Sequence, residues 1–368
     1  SARFDVQAAS VMMVGFQGVE LPVELCDYVR QGPPAGVILF RRNIESSAQV
    51  AELVRAIRAL WPSEGPPPLI AVDQEGGKVR RLRAPECPEF LDLPEARLLA
   101  RGSTASLTRE LAEICARQLG AVGFNVDFAP VLDIDSNPLN PVIGARSFGV
   151  DVQSVIEHAL AFAQGLRDGG VIPCAKHFPG HGDTDLDSHH ALPLLPHDLE
   201  RLRAFELAPF RAAVKAGIPT MMSAHIVFEA LDKAWPATLS PHIIPKLLRE
   251  EIGFEGVVFS DDLEMRAIAD HQSASTIARQ GLAASLDVFL VCHELERAAE
   301  IRSALSDVAN DDPQAALALK AATQRVAQLR LNAEDHALRP WRGVPLQEEG
   351  HRLLSRLHAS LPEDEPGL

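Results

Sequence analysis

The chain has 368 residues, 46% of them hydrophobic, so it can bury a large core in one α/β domain or two smaller ones. Its formal net charge is −15 and it has no long basic run, which argues against a nucleic-acid partner and against docking on anionic lipid. No apolar run approaches the ~20 residues of a membrane span, so no membrane partner is expected.

The cysteines are odd in number and scattered, without a C-x-x-C pair. This pattern argues against a disulfide framework or a thiolate zinc site and favours a reducing compartment. The N-terminus, SARFDVQAAS, lacks the basic-then-apolar layout of a signal peptide, although processing could have removed one. We therefore expect a cytoplasmic protein; the sequence leaves the oligomeric state open, and we take a monomer as the expectation. The five cysteines are Cys26, Cys87, Cys115, Cys174 and Cys292.

Short runs of apolar and β-branched residues recur along the chain. Their apolarity is continuous rather than alternating, which is typical of strands covered on both faces. The predicted strands span 11–16, 36–40, 69–73, 124–130, 172–178, 220–226, 256–261 and 287–292. Segments of helical periodicity separate them, and several open with a cap residue or end at glycine. The predicted helices span 47–60, 106–123, 151–170, 204–217 and 274–286.

Eight strands alternating with helices over roughly 300 residues predict an α/β fold, a (β/α)₈ TIM-type barrel in a single domain spanning 1–335. A doubly wound open sheet is the alternative, and it is weakened because no G-x-G-x-x-G follows an early strand. We expect residues 336–368 to form a C-terminal extension that is partly helical and then frayed, since the last stretch is polar and rich in proline.

Ionisable side chains recur at the carboxyl ends of five consecutive predicted strands, the third to the seventh. In a (β/α)₈ barrel these ends meet at one rim, where the chemistry takes place. A functional site is therefore predicted there. The residues are Asp73, Asp127, Lys176 with His177, His225, and Ser260 with Asp261 and Asp262.

The segment KHFPGHGDTDLDSHHALP, residues 176–193, concentrates histidines and aspartates and has almost no apolar face. A metal site, an acid/base loop and a solvated loop all remain open. Zinc ligands would be crowded against Gly180 and Gly182, and no H-E-x-x-H is present. Asp187 can orient the imidazole of His189 and raise its pKa, which suits proton transfer near neutral pH. We favour this acid/base interpretation, and we expect no metal and no cofactor.

Four motifs in this order make the chain resemble glycoside hydrolase family 3, and within it the bacterial β-N-acetylglucosaminidases. They are AVDQEGGKVRRL, VIGARSFG, KHFPGHGDTDLDSH and FSDDLEM, and the resemblance covers about residues 10–295. It implies that Asp261 is the nucleophile, His189 the general acid/base and Asp187 its partner. It further implies that five residues bind the sugar: Asp73, Arg81, Arg146, Lys176 and His177.

Some roles have structural alternatives or stay unassigned. Arg146 could instead form a structural ion pair, and we expect Asp262 to cap the helix after the seventh strand. Lys78 stands where arginine is common in the family, so bidentate bonding would be lost there. It receives no role, and neither do His190 and His225.

The resemblance implies a retaining exo-β-N-acetylglucosaminidase that removes non-reducing-end GlcNAc from peptidoglycan fragments such as GlcNAc-anhydroMurNAc. Its partner would be a small carbohydrate, and its pathway cell-wall recycling. A phosphorylase or β-glucosidase of the same family is one alternative. A sugar-binding barrel without activity is another, disfavoured because Asp261 and His189 are both present.

Overall fold

The computed structural model describes residues 3–184 and 192–361. Within them, eight parallel strands form one sheet whose neighbours follow chain order. The sheet closes on itself, because Met12 pairs with Phe289 between the first and last strands and a bridge joins Phe259 to Val288. The prediction of a (β/α)₈ barrel is therefore confirmed, and the open sheet is excluded. The strands are β1 Met12–Val14, β2 Gly36–Ile38, β3 Leu69–Val72, β4 Val126–Asp127, β5 Ile172–Phe178, β6 Thr220–Ser223, β7 Val257–Phe259 and β8 Phe289–Val291.

Most strands end earlier than their apolar runs predict. At β3 and β7 the chain leaves the ladder before the polar rim residues, so Asp73 and Asp261 follow these strands, whereas Lys176 and His177 lie within β5. Gln74–Gly76 and Val79–Arg80 form a small antiparallel hairpin directly after β3. Leu194–Leu195 pairs with Val227–Phe228 outside the barrel.

Helices surround the barrel. The helix predicted over 204–217 is present but shorter, Ala208–Lys215, with Pro209 in its first turn, a position where proline is favoured. A separate short helix, Leu199–Ala204, ends where the predicted one begins. A π-helical segment, Ile243–Glu251, lies between β6 and β7. The α-helices are α1 Asp5–Ser10, α2 Val23–Gln31, α3 Ser47–Arg58, α4 Ala96–Gly102, α5 Ala105–Val122, α6 Val152–Asp168, α7 Leu199–Ala204, α8 Ala208–Lys215, α9 Arg266–Ala269, α10 Ala274–Ala283, α11 Leu295–Asp311, α12 Pro313–Leu331 and α13 Gln347–Ala359.

Side chains alternate between two apolar clusters along each strand, as they do in closed barrels. Met13, Phe128 and Phe259 belong to the smaller cluster inside the barrel, whereas their strand neighbours pack in the layer under the helices. In the C-terminal region, α13 buries Leu353 and Leu357 and contacts α5 and α4. None of the helices in the described ranges is long and apolar enough to cross a membrane.

Candidate active site

Residues from the carboxyl ends of β3, β5 and β7 meet at one cavity of about 290 Å³, a size suited to a small ligand. Its walls include apolar side chains from inside the barrel, among them Ile38, Phe128, Met222 and Leu290. The structure brings together all the described residues for which the sequence predicts a role in the site. They are Asp73, Arg81, Arg146, Lys176, His177 and Asp261. Asp187 and His189 lie outside the described residues.

A network of ion pairs forms one side of the cavity. Lys176 Nζ lies 3.1 Å from Asp73 Oδ1 and 2.6 Å from Glu75 Oε1. Arg146 donates to both oxygens of Glu75, from Nε at 2.9 Å and from Nη2 at 2.8 Å. Arg81 donates from Nη2 to Asp73 Oδ2 at 3.2 Å. Arg146 thus makes the structural ion pair that the sequence allowed, and it lines the cavity as well.

Glu75 was missed by the sequence analysis. It follows Asp73 by two residues in an extended segment, a spacing that places two side chains on the same face. That spacing was the signal that could have identified it. Burial alone would raise the pKa of Glu75, but Arg146 and Lys176 outweigh it and hold the pKa well below its usual range.

The other charges of the network are stabilised in the same way. Lys176 and Arg81 overcome the effect of burial on Asp73 and lower the pKa of its carboxyl group. Burial alone would lower the pKa of Lys176, but Glu75 and Asp73 raise it. These groups therefore stay ionised at neutral pH, and they offer charge-assisted hydrogen bonds to a polar ligand such as a sugar.

A second missed residue, Asp133, holds the histidines at the end of β5. Its carboxylate is fully buried and accepts from His177 Nδ1 at 2.7 Å. It also accepts from the backbone N–H of His177 at 3.2 Å and of His181 at 2.7 Å. Since a carboxylate only accepts, His177 carries a proton on Nδ1. Asp133 therefore fixes the orientation of His177 at the cavity.

The turn after His177 is closely packed. A Cβ atom added at Gly182 would lie 1.6 Å from the carbonyl oxygen of Ile134, so only glycine fits there. Asn140 Nδ2 donates to the carbonyl oxygens of His181 and Gly182 and fixes the turn. Burial, with the charge of His177, lowers the pKa of His181 to about 4, which keeps this ring neutral.

Asp261 lies two residues beyond the last residue of β7 and lines the cavity. Its Oδ1 accepts the backbone N–H of Asp262 at 2.8 Å. Burial alone would raise the pKa of Asp261, but His177, His225, this N–H and Lys176 hold it below its usual range. Asp261 is therefore an ionised carboxylate at the cavity, which is the state that a nucleophile requires.

Asp262 does not cap a helix, so that prediction was wrong. Helix α9 starts four residues later, with Met265 at its N-cap position. Asp262 Oδ1 instead accepts the backbone N–H groups of Glu264 at 3.1 Å and of Cys292 at 3.2 Å. After β7 the chain turns toward β8, so the Asp262 carboxylate links the ends of these two strands. Burial, with the charges of Glu264 and Asp261, raises its pKa to about 7.

Two of the five ionisable strand ends lie behind the cavity wall. Asp127 is fully buried and accepts the backbone N–H of Gln74 at 2.9 Å. Burial raises its pKa well above the usual range. His225 is 1% exposed and contacts Asp262 and Thr238. At these two strands it is the apolar Phe128 and Met222 that line the cavity.

Among the described residues, two groups of histidine and carboxylate side chains have ligand atoms within 4.8 Å of one another. The groups are Asp183, His197 and Glu206, and Asp262, Glu264 and His293. In the first, Arg201 pairs with Glu206 at 2.9 Å and His197 bonds Asp183. In the second, Glu264 accepts the N–H groups of His293 and Glu294. These partners account for the charges, and neither group is assigned a metal.

The chain is similar in sequence to members of one enzyme family. Residues 8–329 match the family model described as the glycosyl hydrolase family 3 N-terminal domain. A β-hexosaminidase from Stenotrophomonas maltophilia (strain R551-3) is 39% identical over 287 residues, which is 77% of this chain and 83% of that protein. A β-hexosaminidase from Pseudomonas aeruginosa (strain LESB58) is also 39% identical, over 77% of this chain and 82% of its own.

Solved structures share the fold at similar identity. A family 3 β-N-acetylglucosaminidase from Paenibacillus sp. FPU-7 has a TM-score of 0.89 and 36% identity, covering 97% of this chain and 68% of that one. A β-N-acetylhexosaminidase from Beutenbergia cavernae has a TM-score of 0.82 and 30% identity, covering 90% of this chain and 99% of that one.

Proposed function

Because the chain belongs to glycoside hydrolase family 3, we propose that it is a retaining exo-β-N-acetylglucosaminidase with Asp261 as its nucleophile. The observation that carries the proposal is the ionised Asp261 carboxylate at the end of β7, facing a cavity lined by the Asp73, Lys176 and Arg146 network. One oxygen of Asp261 accepts the Asp262 N–H, and the other, Oδ2, attacks the substrate.

In the proposed mechanism, Asp261 displaces the leaving oxygen from the anomeric carbon of a terminal β-GlcNAc unit and forms a covalent glycosyl-enzyme. Protonated His189, oriented by Asp187, donates its proton to that oxygen. Neutral His189 then takes a proton from water, and the water releases the sugar with retained configuration. Five residues bind the sugar: Asp73, Arg81, Arg146, Lys176 and His177.

A histidine acid/base favours one class of leaving group. A neutral imidazole does not repel an anionic group near the leaving oxygen, whereas a second carboxylate would. N-acetylmuramic acid carries such a group on its lactyl side chain. We therefore propose GlcNAc-anhydroMurNAc and related peptidoglycan fragments as substrates, and cell-wall recycling in the cytoplasm as the setting. The five cysteines are all free, which supports a reducing compartment.

Hydrolysis of 4-nitrophenyl β-GlcNAc and 4-nitrophenyl β-glucoside, with and without phosphate, tests the activity. We expect release of free GlcNAc at a rate that phosphate does not change, and little reaction with the glucoside. GlcNAc-1-phosphate as the main product would contradict hydrolysis and indicate the phosphorylase. Preference for the glucoside would contradict the substrate class. Comparing GlcNAc-anhydroMurNAc with chitobiose then tests the leaving group, and the former should be cleaved with the higher kcat/KM.

A further inference from the structure

The segment that carries Asp261 lies beyond the last residue of β7, Phe259. The neighbours of Asp261 still bond the β8 segment, because the Ser260 N–H donates to the Val288 carbonyl oxygen and the Leu263 N–H donates to that of Leu290, both at 2.9 Å. The side chain of Asp261 accepts the N–H of Asp262 on Oδ1 at 2.8 Å. The orientation of the reactive carboxylate therefore depends on where the Asp262 N–H is held.

Asp262 is held from both sides of β7. Toward β8, its Oδ1 accepts the N–H of Cys292 at 3.2 Å. Toward β6, its carbonyl oxygen lies 2.9 Å from His225 Nε2. Because β6 and β8 are the two strands that flank β7 in the barrel, these two hydrogen bonds fix Asp262 from both neighbouring strands.

The ring of His225 is fixed in its turn. A carbonyl oxygen only accepts, so Nε2 carries a proton and donates it to Asp262. Nδ1 lies 2.8 Å from Thr238 Oγ1, which also lies 3.0 Å from the carbonyl oxygen of Ala224. His225 is 1% exposed and Thr238 is fully buried. A buried ring with a partner at each nitrogen presents its Nε2 proton in one direction.

We infer that His225 is a positioning residue for the nucleophile. It donates to the carbonyl oxygen of Asp262 and thereby fixes the residue whose N–H donates to Asp261. The inference rests on the proposed function, since it requires Asp261 to attack the sugar. His225 is not among the residues that line the cavity, so it affects the geometry of Asp261 through Asp262, in addition to the direct effect of its charge on the Asp261 pKa. A displacement of ~1 Å at a reacting group can cost on the order of 10²-fold in rate.

Two amide variants separate the contacts of the two ring nitrogens. In His225→Gln the amide reaches the position of Nε2 and can still donate to Asp262. In His225→Asn the shorter amide reaches the position of Nδ1 and keeps only the contact with Thr238. The matched control is His158→Gln: His158 is also buried and bonds a threonine, Thr108, through Nδ1, but it lies on α6.

The readouts are kcat/KM for 4-nitrophenyl β-GlcNAc, the inactivation rate constant with a 5-fluoro glycosyl fluoride, the affinity for GlcNAc and the Tm. We expect His225→Asn to lower both rate constants by on the order of 10²-fold and to leave GlcNAc affinity nearly unchanged. His225→Gln should retain at least about a tenth of the wild-type rate, and His158→Gln all of it. A wild-type rate in His225→Asn, or equal losses in the Asn and Gln variants at unchanged Tm, would overturn the inference.

Thr238 provides a second test if His225→Asn does not fold. Thr238→Ser keeps the hydroxyl that orients the ring, and Thr238→Val removes it at similar volume. Only the valine variant should slow inactivation; equal rates in both would count against the inference. The wild-type adduct separates the two hypotheses. An adduct on another residue refutes the proposed function, whereas an adduct on Asp261 that forms equally fast in all variants refutes the positioning role alone.

Discussion

Two neighbouring carboxylates at the end of β7 have opposite electrostatic environments. Burial alone would raise the pKa of Asp261, but the charges of His177, His225 and Lys176 outweigh that effect and lower the pKa. For Asp262, burial dominates and the charges of Glu264 and Asp261 add to it, so its pKa rises to about 7. Environments that push the pKa values of paired groups apart are a feature of catalytic sites. The difference supports Asp261, and not Asp262, as the reactive carboxylate.

The raised pKa of Asp262 predicts a pH dependence of stability. A folded-state pKa of about 7 lies above the ordinary value of 3.8, so the folded protein binds more protons between these limits. The contribution of protonated Asp262 to the unfolding free energy is fully present below about pH 4 and is lost as the pH rises to about 7. The total loss is about 4 kcal/mol. Asp262→Asn removes the titration, and asparagine can still accept the N–H of Cys292.

The measurement is urea unfolding of both proteins at several pH values. The unfolding free energy of Asp262→Asn minus that of the wild type should increase as the pH rises from about 4 to about 7. A difference that stays constant across this range would show that Asp262 is not protonated in the folded protein.

At the scale of elements, the strands and the polar residues at their carboxyl ends could be predicted from the sequence, whereas the hydrogen-bond partners of those residues could not. Continuous apolar runs and the polar residues that follow them are local signals, and they placed Asp73, Lys176 and Asp261 at one cavity. Asp133 carried no such signal, because it bonds His177 from 44 residues away. The cap predicted for Asp262 failed for the same reason, since its partner Cys292 lies 30 residues away, directly after β8.

The loop after β5 carries the proposed acid/base pair, and its role differs between substrates. A 4-nitrophenolate leaves almost unaided, whereas a sugar alkoxide needs a proton. His189→Ala should therefore lose at least ~10²-fold more kcat/KM on GlcNAc-anhydroMurNAc than on 4-nitrophenyl β-GlcNAc. Asp187→Ala should show the same pattern more weakly, because it removes only the group that orients the imidazole.

Azide provides a control for this prediction. With the aryl substrate, release of the glycosyl-enzyme should limit His189→Ala, and azide should restore turnover by attacking the intermediate directly. Equal losses on both substrates, with no effect of azide, would show that His189 binds the sugar and that another group supplies the proton.

At the scale of the whole molecule, the barrel brings cations and carboxylates together at one cavity of an acidic chain. The formal net charge is −15, yet Arg81, Arg146 and Lys176 converge on one cavity. Each of these three cations pairs with a carboxylate of Asp73 or Glu75. The closed ring makes this possible, since it brings together strand ends that are distant in sequence.

The proposed mechanism assigns no step to a Lewis acid, so activity should not depend on a metal ion. We predict that treatment with EDTA followed by dialysis leaves kcat and KM for 4-nitrophenyl β-GlcNAc unchanged. Activity that is lost on chelation and restored by zinc would contradict the mechanism. It would direct attention to the group formed by Asp262, Glu264 and His293, of which Asp262 and His293 line the cavity.

The central claim is that Asp261 forms a covalent bond to the sugar, and trapping that intermediate tests it most directly. The protein is incubated with 2-acetamido-2-deoxy-5-fluoroglucosyl fluoride, and the adduct is located by peptide mass spectrometry. We predict one glycosyl adduct per chain, on Asp261. The Asp261→Ala variant should form none and should lose on the order of 10³-fold or more in kcat while remaining folded. An adduct on Asp262, or no adduct in an enzyme that still turns over substrate, would contradict the account.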